Sequence, residues 1–241
     1  MSVPDARSAS ATWLPMKPAP PVRSTCAIWP SILEYWRVAP LDLASTFGQI
    51  DIYLFDQLLR GRIRPGMRVF DAGCGGGRNL VFLLREGYDV SACDADRQAI
   101  LAVRELAARE AAGLPASNFR EEPVERTSFD DGVFDVVISS AVLHFARDEA
   151  QFEAMLREMW RVLRPGGLLF ARLASSIGIE DSVTPRGGRR FGLPEGSERF
   201  LVDAPMLAAA EGALGAERVD PLKTTVVQNQ RSMTTWVISK R

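Results

Sequence analysis

From about Leu41 onward, apolar positions recur in blocks that alternate between helical and strand spacing. Phe47, Ile50, Leu54 and Leu58 keep helical spacing and predict a helix over 43–59, with Gly48 as its weak position. Pro65 and Gly66 then turn the chain into a short apolar strand over 67–70 that stops at a cluster of glycines. Leu80, Phe82, Leu83 and Leu84 mark the buried side of a second helix, for which Asn79 is the predicted N-cap. A second strand over 89–93 ends at Asp94, and an alanine-rich helix follows over 96–112. A short strand over 118–120 precedes a strongly apolar one over 134–139, a helix over 149–163 and a fifth strand over 168–173.

Strands and helices alternating in this way, with the strands apolar throughout, predict a parallel sheet covered on both faces. The end of the chain breaks the rule. After a helix over 204–214 come two extended segments, 217–227 and 234–239, with only a few residues between them. A parallel crossover needs a dozen residues or more, so this last pair is predicted to be an antiparallel hairpin. The expected fold class is therefore α/β: a doubly wound, mostly parallel, seven-stranded sheet with a C-terminal antiparallel hairpin, Rossmann-like in plan.

Composition narrows the function classes. The 241 residues are 46% hydrophobic and 24% charged, as in a globular domain with a real core, and the formal net charge is −1. That balance lacks the basic footprint of a dedicated nucleic-acid binder, so no nucleic-acid partner is expected. Cys26, Cys74 and Cys93 form no CxxC pair and His144 is the single histidine, so neither a disulfide framework nor a metal site is expected. No apolar run approaches the 18 or so residues of a membrane span, and the expected setting is cytoplasmic, as a monomer or homodimer.

Residues 1–40 read differently. They are rich in proline, including Pro15, Pro18, Pro20 and Pro21, and lack periodicity before about Ile32. Arg7, Lys17 and Arg23 against Asp5 raise a targeting segment, but the prolines spoil an amphipathic helix and no apolar stretch accompanies them. The expectation is a disordered or loosely docked arm over 1–40 and one domain over 41–241, with a variable segment over 174–200.

The chemistry centres on Asp71-Ala72-Gly73-Cys74-Gly75-Gly76-Gly77-Arg78. Glycines between a strand and a helix let a ligand approach the backbone. A nicotinamide fingerprint, GxGxxG, would put its third glycine where Arg78 stands, which opposes the tight helix–strand packing that glycine allows. An acid, Asp71, stands at the start of the turn, suited to accept from an ammonium group or to orient the loop, neither of which a pyrophosphate needs. Asp94, ending the second strand, can accept both hydroxyls of a ribose; its alternative role, as helix N-cap, can be filled by Asp96.

With Val69–Gly77, Asp94, the Phe134–His144 run and Leu163-Arg164-Pro165-Gly166-Gly167 in this order, the chain resembles the class I S-adenosylmethionine-dependent methyltransferases over about 47–240. The Gly77-Arg78-Asn79 continuation and Gly87-Tyr88-Asp89-Val90 are similar to a small-molecule branch that includes tellurite-resistance methyltransferases. The resemblance implies S-adenosylmethionine as cofactor, with S-adenosylhomocysteine as product. It implies contacts from Asp71, Gly73, Cys74, Gly75, Gly77 and Arg78, with Asp94 and its neighbour Ala95 at the ribose. It also implies an adenine contact among Glu122, Pro123 and Val124, where Pro123 has no N–H to give, and Ser139 and Ser140 facing the sulfonium.

Methyl transfer is an in-line displacement that asks chiefly for alignment and exclusion of water, and a base only where the acceptor must lose a proton. His144, after the fourth strand, is the candidate base or acceptor-positioning residue; its structural alternative is an imidazole bonding backbone beneath the loop. No Asn/Asp-Pro-Pro-aromatic or Pro-Cys pattern of nucleic-acid methylation follows that strand, so a small-molecule acceptor is expected. Arg186, Arg189, Arg190 and Arg199 in the variable segment suit either a lid that recruits an acidic acceptor or a solvated loop. Trp29, Tyr35, Trp36, Phe47 and Tyr53 are candidates to cap the pocket, Phe47 equally for core packing. A catalytically silent cofactor-binding fold and a nicotinamide oxidoreductase are the alternative readings.

Overall fold

The computed structural model describes residues 42–241. The expectations for 1–40, including a targeting segment and a cap built from Trp29, Tyr35 and Trp36, lie outside the described residues, as does Cys26.

The first described helices are α1 (Leu43–Phe47) and α2 (Ile52–Leu59), where one continuous helix was expected over 43–59. Gly48 leaves helical geometry at φ 63°, and Asp51 restarts the chain by accepting the N–H of Tyr53 at 2.9 Å. Phe47 folds back between Phe55 and Phe82, with ring centroids 4.8 and 5.0 Å away, a contact that a straight helix would forbid.

Alternation then follows closely: β1 (Arg68–Ala72), α3 (Val81–Arg85), β2 (Asp89–Asp94), α4 (Arg97–Glu110), β3 (Phe119–Glu121), β4 (Phe134–Ser140), α5 (Glu149–Val162) and β5 (Leu163–Ala174). Asp96 and Asp148 cap α4 and α5 by accepting backbone N–H groups two and three residues on. Asn79 does not cap α3. Its side-chain oxygen accepts the buried N–H of Asp51 at 2.9 Å, and Leu80 occupies the cap position without a side-chain bond.

β1 pairs in parallel with β2 on one side and β4 on the other; β3 extends the first side and β5 the second. The direction of winding reverses between β1 and β4, and the crevice at their carboxyl ends is where such sheets bind ligands. Successive residues along the strands serve opposite faces, as the pleat requires. Phe70 and Val137 join Phe152, Met155 and Leu156 of α5, while Val69, Val136 and Ile138 join Ile100, Val103 and Leu106 of α4.

The segment 174–200, expected to be variable and to act as a lid or a solvated loop, contains a sheet of its own. β6 (Thr184–Gly187), β7 (Arg190–Gly192) and β8 (Glu198–Phe200) form a separate three-stranded antiparallel sheet. Phe200 anchors it by stacking on Phe152, with centroids 5.0 Å apart, so burial of one ring ties the insertion to the core. After α6 (Ala204–Leu214), the predicted extended segment 217–227 divides into β9 (Ala216–Arg218) and β10 (Lys223–Val227). The break falls where Asp220 turns inward to Arg62, at 2.6 and 3.1 Å. β11 (Arg231–Lys240) pairs antiparallel with β10, β9 and β5. The hairpin is as expected, but the main sheet has eight strands and not seven. Among the described residues no helix is long and apolar enough to cross a membrane.

Candidate functional site

The crevice holds a cavity of about 530 Å³. The glycine turn forms its floor. Gly73 and Cys74 donate their N–H groups to the carbonyl of Cys93, binding the turn to the end of β2. Gly73 has φ 79°, and a Cβ there would lie 2.7 Å from the Val142 side chain. Gly77 has φ 77°, and a Cβ would meet Leu106 at 2.9 Å. The close approach of turn to helix thus falls on Gly77, and Arg78 extends along the cavity wall.

Asp94 completes the turn. Its Oδ2 accepts the N–H of Gly75 at 2.9 Å and its Oδ1 that of Asp96 at 2.9 Å. Asp96 itself caps α4, so Asp94 is not spent on the helix. Each carboxylate oxygen keeps a further acceptor position, and the residue lines the cavity together with Ala95.

Of the residues expected from sequence, Gly73, Cys74, Gly75, Arg78, Asp94, Ala95, Val124 and Ser140 line this cavity. Asp71, Gly77 and Ser139 are not in its wall; Asp71 and Ser139 are buried at the ends of β1 and β4. Glu122 turns away: its carboxylate accepts the N–H and hydroxyl of Ser128, and Pro123, Val124 and Glu125 face the cavity instead. Asn79, Glu125, Phe145, Gln151 and Met155 also line it and were missed. Gln151 and Met155 come from the first turns of α5, whose amphipathic pattern marks a buried face but says nothing about the ligand beside it. Gln151 donates to Glu125 at 2.9 Å, closing the wall opposite the glycines.

Asp71 is electrostatically unusual. Burial pushes its pKa up to about 7, against the pull of the Arg78 charge, and the Asp94 charge adds to the rise. Its Oδ2 and the Ser139 hydroxyl have no hydrogen-bond partner among the described residues. The two face opposite sides of the sheet, and the orphaned buried carboxylate oxygen of Asp71 by itself indicates that a polar, preferably cationic, group belongs beside it. Cys74 and Cys93 are buried, and burial raises both thiols, Cys93 up to about 12, so neither is a nucleophile at neutral pH.

Arg78 donates to the Ser140 hydroxyl at 2.8 Å, and both approach the carboxylate of Asp51. Arg172, from β5, reaches the same Asp51 oxygen at 3.1 Å and lies over the Tyr53 ring. The start of α2 is thereby tied to the ends of β4 and β5, a link that sequence spacing does not signal.

Beyond Ala141 lies a second cavity of about 290 Å³, and Ala141 lines both. Ala141 holds φ 65°, a left-handed backbone for a residue with a side chain, at the junction. His144 lines the second cavity, and its Nδ1 accepts the N–H of Ala174 at 3.2 Å. Burial and the neighbouring Arg199 charge lower its pKa to about 4. The ring is therefore neutral with its proton on Nε2, a hydrogen-bond donor.

Residues 70–171 match the family model described as a methyltransferase domain. A ubiquinone biosynthesis O-methyltransferase of Methylocella silvestris is 37% identical over 172 residues, covering 64% of this chain and 65% of that protein. An uncharacterized methyltransferase of Synechocystis is 33% identical over 106 residues, covering 44% of this chain and 46% of that one. The chain thus spans between about half and just under two thirds of the length of these relatives. Among solved structures, a SAM-dependent methyltransferase of Methanosarcina mazei superimposes with TM-score 0.62 at 20% identity, covering 76% of this chain and 96% of that one. A 1,6-didemethyltoxoflavin-N1-methyltransferase of Burkholderia thailandensis, with bound 1,6-didemethyltoxoflavin and S-adenosylhomocysteine, gives 0.60 at 21%, covering 90% of this chain and 93% of that one. These structural likenesses establish the fold, which is that of the class I methyltransferases; the narrower likeness to tellurite-resistance enzymes has no support among them.

Proposed function

We propose that this chain, which carries a methyltransferase domain on the class I fold, transfers a methyl group from S-adenosylmethionine to a small-molecule acceptor. The observation that carries the reading is the glycine turn clamped to Asp94 above a buried, unpaired Asp71. The floor admits a ligand against the backbone, and the orphaned carboxylate calls for a positive charge at the turn, where a dinucleotide would bring its anionic pyrophosphate. S-adenosylmethionine supplies a methyl group on a positively charged sulfur.

The residues divide the work as follows. Asp94 takes the ribose hydroxyls on its remaining acceptor positions. Gly73 and Gly75 carry the amino-acid portion, with Asp71 beneath as its counter-charge. Val124 is the backbone donor for adenine, since Pro123 has no N–H and Glu122 is engaged by Ser128. Ala141 stands between the two cavities, so the acceptor occupies the smaller one and meets the methyl group across it, with Ser140 on the cofactor side. Confining both partners this way contributes alignment and water exclusion, the main demands of the displacement. His144 orients the acceptor through Nε2–H; a ring with its pKa near 4 and Nδ1 engaged is a poor base at neutral pH. The protein is further read as cytoplasmic and as acting without nucleic acid, as a monomer or homodimer.

Calorimetry with S-adenosylmethionine and with NADH tests the reading. Binding of the first in the micromolar range, with none of the second, is expected. NADH binding without S-adenosylmethionine binding would overturn it. Labelled cofactor incubated with a metabolite panel then reports transfer directly.

A further inference from the structure

We propose that the 290 Å³ cavity beyond Ala141 selects an acceptor bearing an anionic group, a carboxylate or a phosphate, gripped by Arg199 and Arg231 with Arg172 behind them. The proposal rests on the methyl-transfer reading in taking this cavity as the acceptor's.

Three separate elements bring these guanidinium groups to one cavity: β5 supplies Arg172, β8 supplies Arg199, and the start of β11 supplies Arg231. The single acid in the lining is Glu195, and His144 is neutral there. The chain as a whole carries a net charge of −1, so the local excess of positive charge is a product of the fold and not of composition.

The structure also sorts the arginines of the variable segment. Arg189 is engaged by Asp203 at 2.6 Å, and Arg190 by Glu198 at 2.9 Å and the Ala146 carbonyl at 3.1 Å. Those two hold the small sheet in place. Arg199 makes no ion pair among the described residues; it lies over the Phe145 ring, 5.1 Å from the centroid, and Phe145 lines the cofactor cavity. Arg231 likewise makes no ion pair among the described residues. Arg172 is neutralised on one nitrogen by Asp51, while its Nε is buried and unpaired among the described residues. A forked donor with a buried unsatisfied N–H, beside two guanidinium groups without ion pairs, of which Arg199 spends one N–H on the Glu198 carbonyl at 2.8 Å, matches a planar or tetrahedral anion.

The test uses the protein saturated with S-adenosylhomocysteine and a panel of small aromatic and aliphatic carboxylic acids, each matched with its neutral amide. Phosphate monoesters matched with the parent alcohols form a second arm. Binding is read by calorimetry for the native protein, R199Q, R231Q and the double variant. One arm is expected to bind at least tenfold tighter than its neutral partners, and each substitution to cut that preference by about tenfold. The arm that responds identifies the anion. S-adenosylhomocysteine affinity should stay unchanged in all variants, which also reports that they fold. Equal binding of charged and neutral partners, no charged binder in either arm, or a preference kept by the double variant would each overturn the proposal. Loss of S-adenosylhomocysteine binding by the native protein would instead overturn the methyl-transfer reading itself.

Discussion

Asp71→Asn separates the electrostatics of the cofactor floor from its shape, because the two side chains are nearly isosteric. Moving Asp71 from 3.8 to about 7 is worth about 4 kcal/mol, at about 1.4 kcal/mol per pH unit. The sign follows from which state holds the proton. Between about pH 4 and 7 the folded protein keeps Asp71 protonated while the unfolded chain has released it. Stability from this group is thus fully present below about pH 4 and is lost as pH rises through 7. Urea unfolding of native protein and variant without cofactor, at intervals from pH 4 to 8, isolates the effect, since other titrations cancel in the difference. The variant should gain on the native protein steadily with pH, by up to about 4 kcal/mol at pH 8. Added S-adenosylmethionine should then stabilise the native protein more than the variant at pH 8, because its positive charge offsets the ionised carboxylate. A difference that stays flat from pH 4 to 8 would refute the reasoning.

Other substitutions probe the remaining parts of the site. Asp94→Ala removes charge-assisted bonds and should weaken S-adenosylhomocysteine binding by about 1–3 kcal/mol in calorimetry; unchanged affinity would contradict the ribose assignment. Gly75→Ala and Gly77→Ala make a contrasting pair, since both sites have positive φ but only Gly77 is crowded, by Leu106 at 2.9 Å. Thermal unfolding should show a loss of about 1 kcal/mol for the first and about 2–4 kcal/mol for the second. His144→Gln should lower turnover while leaving the pH–rate profile between 5 and 9 unaltered, because the native ring is already neutral in that range. Disappearance of an acidic limb near pH 6–7 in the variant would show that the histidine acts as a base.

The alternation of elements was legible because each strand and helix carries its own period. α6 appears at the predicted bounds, and the short link after Val227 excluded a parallel crossover. The glycine turn and Asp94 were legible for a related reason: backbone approach and strand-end placement are local properties, encoded in consecutive residues. The departures share a different cause. The helix over 43–59 broke where Phe47 found Phe55 and Phe82, Asn79 left its cap for the N–H of Asp51, and Asp220 divided an extended segment by pairing with Arg62. In each case a distant partner overrode a local preference, and no periodicity reports such a partner.

The same division runs through the site. In the proposed reading the consecutive residues Asp71 to Gly77, with Asp94 at the next strand end, carry the donor half, since a turn needs only its own glycines and the adjacent parallel strand. The second cavity, proposed for the acceptor, is lined by residues brought together from β5, β8, β11 and the loop after β4, far apart in the chain. Which arginines face that cavity and which are engaged by acids follows from burial and pairing across elements. So does the proton on His144 Nε2, placed there by the N–H of Ala174 thirty residues away. Local backbone geometry wrote the glycine floor of the first cavity into the sequence; long-range packing alone set the charge and shape of the second.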